Sequence, residues 1–342
     1  MEADKKNKES SNRLAWPDVA KGICIISVIL GHLGVDAINR VVFTYHLPVF
    51  FLLSGYFMKK TSDKKCIEDK ARRLLIPYAL TCVVICIVSA IFAGILGTDI
   101  KDTLFSWVGA ALYGAGDSWE YPFFIKGIGA IWFLWALFFA VVIVNHFLDK
   151  KYSGIVIFCI AFAGWLSFDI TQVWLPLSIQ AGMLASLYVY IGYYVRQHEF
   201  LLKDVHVIPF VGATLAWLWS IQHFKGFWLV HNYMGNGWLD FLTSLCAAYF
   251  IIVISKYISV KTEWLKNILC FYGKNSLIIL CAHLVELNVF RLEVLSEHYA
   301  AELSLNQNQG LLLLILMKMV YVTLVVVAIN RVWGCRLCKK EL

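Results

Sequence analysis

Lys21 and His32 are separated by ten residues, almost all of them apolar. On a helix rising 1.5 Å per residue, eleven positions amount to about 16 Å, roughly half the hydrocarbon core of a bilayer. An ammonium group offers a phosphate a point charge, and an imidazole gains and loses a proton near neutral pH. One helix is therefore equipped to hold an anion at one end and move a proton at the other. Asp36, four residues past His32, would share its helix face and orient the ring. A second histidine, His46, opens the run Tyr45-His46-Leu47-Pro48-Val49-Phe50-Phe51. A basic stretch follows, with Lys59, Lys60, Lys64, Lys65, Lys70, Arg72 and Arg73. Arginine forks and lysine point charges both suit a phosphate-bearing ligand. Late in the chain, His283 and Glu286 fall at i,i+3 on one face, and Lys318 is placed to pair with Glu286. Each feature also has a plainer reading. Asp18 and Lys21 suit an interfacial pair, His32 a packing residue, the His46 run a tightly packed aromatic helix. The basic stretch suits anionic lipid, and Glu286 with Lys318 a structural ion pair.

The elements that must position these groups are membrane helices. Of 342 residues, 60% are hydrophobic and 15% charged, too apolar for a disordered chain or for a single soluble core. Ten apolar spans are expected, at about 17–35, 44–58, 74–97, 127–148, 153–169, 173–195, 205–223, 238–257, 275–292 and 310–331. Unbroken apolar runs without alternation argue against a barrel. The fold class is thus all-α, a polytopic membrane protein of about ten transmembrane helices. Residues 1–16 and 334–342 are expected as cytosolic tails flanking a membrane domain at 17–333. No cleaved signal peptide is expected, because the first span carries Asp18 and Lys21.

The net charge of +7 is distributed unevenly. With the N-terminus in the cytosol, the tails and the loops at 59–73, 149–152, 196–204 and 258–274, with their flanks, hold 23 of the 30 basic residues. Both termini then lie in the cytosol, in keeping with the positive-inside rule. No nucleic-acid partner is expected from basic residues so placed. Six of nine histidines, His32, His46, His223, His231, His283 and His298, fall on the outer side, where Asp36, Asp117, Glu120 and Glu286 are available to them. Cations inside and acid/base groups outside suit a reaction whose donor and acceptor come from opposite sides. Of the ten cysteines, Cys335 and Cys338 form a CxxC near the C-terminus. It has no second pair to complete a zinc site, and plain or lipidated thiols are expected there.

Three ordered elements resemble the membrane acyltransferase-3 family. Lys21 and His32 match its basic-x10-His signature. His46 to Tyr56 is similar to its H-x-P-x-F-F-x-x-S-G-aromatic run. Lys70-Ala71-Arg72-Arg73 resembles its basic segment before the third helix, with Lys70 where arginine is commoner. Weaker likenesses lie at Ile131-Trp132-Phe133-Leu134 and from Gly273 to His283, and the variant looks closest to the fucose 4-O-acetylase-like branch without an added soluble domain. The resemblance implies transfer of an acyl group, usually acetyl, from acyl-CoA to a hydroxyl of an extracytoplasmic glycan or exported saccharide. It implies Lys21, Lys70, Arg72 and Arg73 for the CoA phosphates. It implies His32, with Asp36 or another outer carboxylate and His46, for catalysis as general base or through an acyl-histidine. Backbone N–H groups or Ser54 are the oxyanion donors available beside them. Glu120, Trp132, His283 and Glu286 become candidate contacts to the acceptor. The implied setting is a bacterial plasma membrane, with acetyl-CoA as donor and no metal; a homodimer is left open. The competing readings are a proton-coupled secondary transporter or exporter, and a non-catalytic scaffold.

Overall fold

A computed structural model describes residues 14–199 and 206–333. The tail up to residue 13, part of the 196–204 loop, and the C-terminal tail with Cys335 and Cys338 lie outside the described residues. Nearly all of the described chain is helical. The main helices are α1 (Trp16–Gly31), α2 (Asp36–Val42), α3 (His46–Tyr56), α4 (Asp63–Lys70), α5 (Ile76–Leu96), α6 (Ile100–Tyr113), α7 (Trp132–Phe147) and α8 (Ser153–Thr171). They continue with α9 (Ile179–Gln197), α10 (Val207–Gln222), α11 (Trp238–Lys261), α12 (Glu263–Lys274), α13 (Ser276–Val285), α14 (Leu292–Glu302) and α15 (Gln307–Trp333). A two-residue antiparallel ladder pairs β1 (Phe227–Trp228) with β2 (Tyr233–Met234).

Among the described residues, five helical stretches are long and apolar enough to cross a membrane: Asp36–Tyr56, Asp63–Leu96, Ser153–Thr171, Trp238–Lys261 and Gln307–Val332. Helices α12 and α13, bent by 65° at Asn275, supply a sixth if they form one broken span. Trp132–Phe147 and Val207–Gln222 are apolar but shorter.

Three segments expected as loops are helical. The basic stretch at 59–73 contains α4 and a π-helical turn, Ala71–Leu75, that runs without a break into α5. The segment at 98–126 contains α6, capped by the Asp99 carboxylate, which accepts from the backbone N–H of Lys101 (2.7 Å) and Asp102 (3.0 Å). The segment at 258–274 is the end of α11 and all of α12. Charge counting assigned these residues to loops, yet α12 is amphipathic: it buries Leu269, Cys270 and Gly273 and leaves Glu263 and Lys274 exposed.

Two backbone-to-backbone crossings set the core. At Gly22 of α1 an added Cβ would lie 2.1 Å from the Leu269 carbonyl oxygen of α12, and at Gly273 one would lie 1.8 Å from that of Asp18. At Gly55 of α3 and Gly192 of α9 the corresponding distances, to Val189 and Leu52, are 1.9 and 2.0 Å. Small residues at helix crossings are the usual means of close packing in a membrane, where apolar burial offers little drive. Several polar groups in the core are paired. Tyr188 meets Ser244 at 2.7 Å, Tyr45 meets Ser27 at 2.8 Å, and the Trp217 indole donates to Thr44 at 2.8 Å. The periphery is apolar and exposed, as at Leu80, Ile87 and Ile95 of α5 and Leu316 and Leu324 of α15.

Candidate active site

Helix α1 begins with Pro17 in its first turn and Asp18 at its positive end, and stops at Gly31. His32 is therefore the C-cap residue, followed by a turn through Gly34 at φ +70°. Its ring Nδ1 lies 2.7 Å from the Val28 carbonyl oxygen. A carbonyl only accepts, so Nδ1 carries the hydrogen and the neutral ring presents its lone pair at Nε2. His46 opens α3 in the same way, with Nδ1 2.6 Å from the Val42 carbonyl oxygen. Both histidines border one cavity of about 450 Å³.

That cavity is lined by Lys21, Ser54 and Leu74, by His32 and by His46 of α3, and by Gly116, Asp117, Trp228 and Asn288. Lys21 and His32 lie about 16 Å apart along α1. Most of the remaining lining is apolar, including Trp132, Phe133, Leu280 and Leu284. Its size and makeup, apolar walls with a few convergent polar groups, are those of a small-molecule site.

The wall at Gly116 and Asp117 is a hairpin-like segment in which the N–H of Gly129 donates to the Gly116 carbonyl at 3.0 Å. Asn288 of the π-helical turn Glu286–Phe290 donates its side-chain N–H to the Ile128 carbonyl at 3.2 Å, which ties that turn to the wall. Gly129 has φ +85°, and a Cβ there would lie 2.6 Å from the Leu284 side chain, so glycine alone fits this wall. Asp117 Oδ2 lies 3.0 Å from His231 Nε2. The hydrogen bond from His231 holds the Asp117 carboxyl below the usual carboxylate range, against the opposing effect of burial. His32 adds a weaker pull, so these groups share one electrostatic neighbourhood.

The structure brings together some candidates and separates others. Lys21, His32, His46 and Trp132 all line the cavity. Lys70 is half-buried, and Arg72 and Arg73 are exposed on the π-helical turn directly before the lining residue Leu74. Asp36 requires a correction. The helix ends at Gly31, so the i,i+4 relation to His32 does not form, and Asp36 is exposed at the start of α2. The partner of the His32 Nδ1 is the Val28 carbonyl instead. Glu120 is exposed and outside the lining. Ser54 lies two helical turns past His46, and its hydroxyl donates to the Phe50 carbonyl at 2.8 Å, so it has no proton left for an oxyanion near His32. His283 and Glu286 are fully buried and lie outside the cavity lining. The His283 ring packs edge-on against His32 with centroids 5.2 Å apart. Glu286 receives Lys318 Nζ at 2.8 and 2.9 Å, the pairing anticipated from their positions.

The sequence reading did not single out Trp228 or Asn288. A signal was present in the segment at 224–237, where aromatic residues alternate with glycine and asparagine between two apolar spans. That pattern is too irregular for a spanning helix and too apolar for an ordinary loop.

A family profile described as an acyltransferase domain matches residues 14–331. A nodulation protein, NolL, of Sinorhizobium fredii is 30% identical over 144 residues, covering 37% of this chain and 35% of that protein. NolL of Mesorhizobium japonicum is 27% identical over 153 residues, 40% of this chain and 36% of its own length. The matched region thus spans about a third of each curated relative. No solved structure matches. With the profile extending from the start of α1 to the end of α15, and its basic-x10-His pair lining a single cavity, the chain belongs to the membrane acyltransferase-3 family.

Proposed function

We propose that this chain is an integral-membrane O-acyltransferase that moves an acyl group, acetyl in the simplest case, from cytosolic acyl-CoA to a hydroxyl of an extracytoplasmic glycan or exported saccharide. The observation that carries the reading is the one cavity lined by Lys21, His32, His46 and Asp117 together. In this reading the chain crosses the membrane ten times with both termini in the cytosol, and α12 lies along α1 at the inner side. The CoA phosphates meet Lys21, Lys70, Arg72 and Arg73, and the pantetheine arm extends along the apolar wall toward His32. The host membrane is a bacterial plasma membrane.

The chemistry follows from the tautomer. The acceptor hydroxyl donates to His32 Nε2, which removes its proton as the oxygen attacks the thioester carbonyl. The C–S bond breaks, the C–O bond forms, and the proton passes from Nε2 to the departing sulfur. His46 faces the same cavity with its own Nε2 free, within the same reacting space. Trp132 and Trp228 offer ring surfaces to a sugar at the outer end.

His32→Ala tests the reading. Purified protein supplied with acetyl-CoA and a set of p-nitrophenyl glycosides should release CoA and yield acetylated glycoside. The variant should lose roughly 10²–10⁴-fold of that rate, the usual worth of a positioned general base. Full activity in a correctly inserted His32→Ala protein refutes the mechanism. Glycoside uptake into vesicles without acylation favours transport instead.

A further inference from the structure

Lys318, Glu286 and His283 form a chain of contacts that stops at the ring of His32. Lys318 Nζ on α15 lies 2.8 and 2.9 Å from the two Glu286 oxygens. Glu286 Oε2 lies 3.2 Å from His283 Nδ1, a close contact that falls outside hydrogen-bond geometry, and Glu286 Oε1 accepts from the backbone N–H of Leu292 at 3.2 Å. His283 packs edge-on against His32. All three side chains are 0% exposed, and none borders the cavity.

Two features argue that this cluster does more than brace helices. Ionised groups are costly inside a membrane protein, and a buried ion pair often adds no stability over apolar residues of the same volume. The cluster also ends on His32, which lies just past α1 as its C-cap residue. The Val28 carbonyl fixes one ring atom, and His283 fixes the plane.

We propose that His283, Glu286 and Lys318 are positioning residues for His32: Lys318 holds the Glu286 carboxylate, the carboxylate holds the His283 ring, and that ring holds the imidazole of His32 toward the cavity. The inference rests on His32 acting as the base. No proton leaves the His32 Nε2 for this chain; the carboxylate orients the neighbouring ring. The arrangement extends through a second ring what an aspartate does for a catalytic histidine, where loss of the orienting group lowers kcat by up to about 10⁴-fold.

The test is a charge-free replacement of the pair. Glu286→Gln combined with Lys318→Met removes both charges at similar volume, so neither partner is left buried and unpaired. With acetyl-CoA and p-nitrophenyl glycosides, the double variant should keep the wild-type KM for acetyl-CoA while kcat falls roughly 10- to 1000-fold. His283→Phe, which keeps an aromatic edge but cuts the link to Glu286, should show the same split. Adding it to the double variant should cost little more, because residues acting as one unit are not additive. A folded double variant or a folded His283→Phe protein with wild-type kcat overturns the proposal, and so do losses that multiply in the triple variant. Absence of transfer by the wild-type protein overturns the acyltransferase reading itself, whereas wild-type turnover with an undiminished variant overturns the positioning role alone.

Discussion

Replacing Gly22 by alanine tests whether the α1–α12 crossing sets the geometry of the cavity. The added Cβ would lie 2.1 Å from the Leu269 carbonyl oxygen and 2.8 Å from its carbon. Carbon–oxygen contacts between packed backbones settle near 3.3–3.6 Å, so the two helices must part by about 1.2 Å at this point. The atoms in the way are backbone, and no rotamer relieves them. Alanine gains about 1 kcal/mol of helix propensity over glycine, while an overpacked crossing costs about 1–3 kcal/mol, so the net change is a modest destabilisation. The larger effect falls on function. Gly22 adjoins Lys21, and the same helix carries His32. A shift of about 1 Å in a positioned group costs on the order of 10²-fold in rate. The assay is CoA release with acetyl-CoA and p-nitrophenyl glycosides, alongside a thermal melt of the purified protein. Gly212→Ala on α10 is the control, since nothing lies within 4 Å of its added Cβ. Wild-type turnover in Gly22→Ala, or an equal loss in Gly212→Ala, refutes the claim that this crossing positions the site.

Lys21→Ala should raise the KM for acetyl-CoA more than it lowers kcat, because the ammonium serves binding at the end of the cavity away from His32. Equal affinity measured by isothermal titration would remove Lys21 from the donor site. Arg73→Ala, altering an exposed cation beside Leu74, should weaken acyl-CoA use in the same sense, and the effect should shrink as ionic strength rises. The Asp117–His231 contact implies a pH response. The Asp117 carboxyl is held low by the His231 hydrogen bond, so this tie is fully present above the ordinary carboxylate range and is lost as pH falls through the lowered value. Hydrogen exchange across residues 114–129 should therefore rise on acidification, and in Asp117→Asn it should be high and insensitive to pH. Protection that stays pH-dependent in the variant would assign the response to another group.

Much of the site was legible in the sequence because covalent spacing dictates it. A lysine and a histidine eleven positions apart in an apolar run must lie about 16 Å apart once the run is helical, whatever surrounds it. Helicity was itself compelled, since the backbone of an apolar stretch in lipid has no other way to satisfy its hydrogen bonds. The pairing of Glu286 with Lys318 was also foreseeable, because two opposite charges at matching depths in apolar helices have few other partners. The boundaries were less legible. The basic and mixed segments at 59–73 and 258–274 read as loops by charge, yet an amphipathic helix tolerates the same charges on its outer face.

What the sequence by itself determined is therefore the helical class, the axial spacing of Lys21 and His32, and the motifs of the family. Tertiary structure alone decided which side chains share a cavity. It ended α1 at Gly31, and so moved Asp36 away from His32. It placed Asp117 in the cavity lining beside His231, and His283 and Glu286 outside that lining, with His283 against the ring of His32. The physical reason is that rotation about a helix axis and the crossing of helices depend on contacts between residues distant in sequence, such as Gly22 with Leu269. Hydropathy and local spacing carry no record of those contacts.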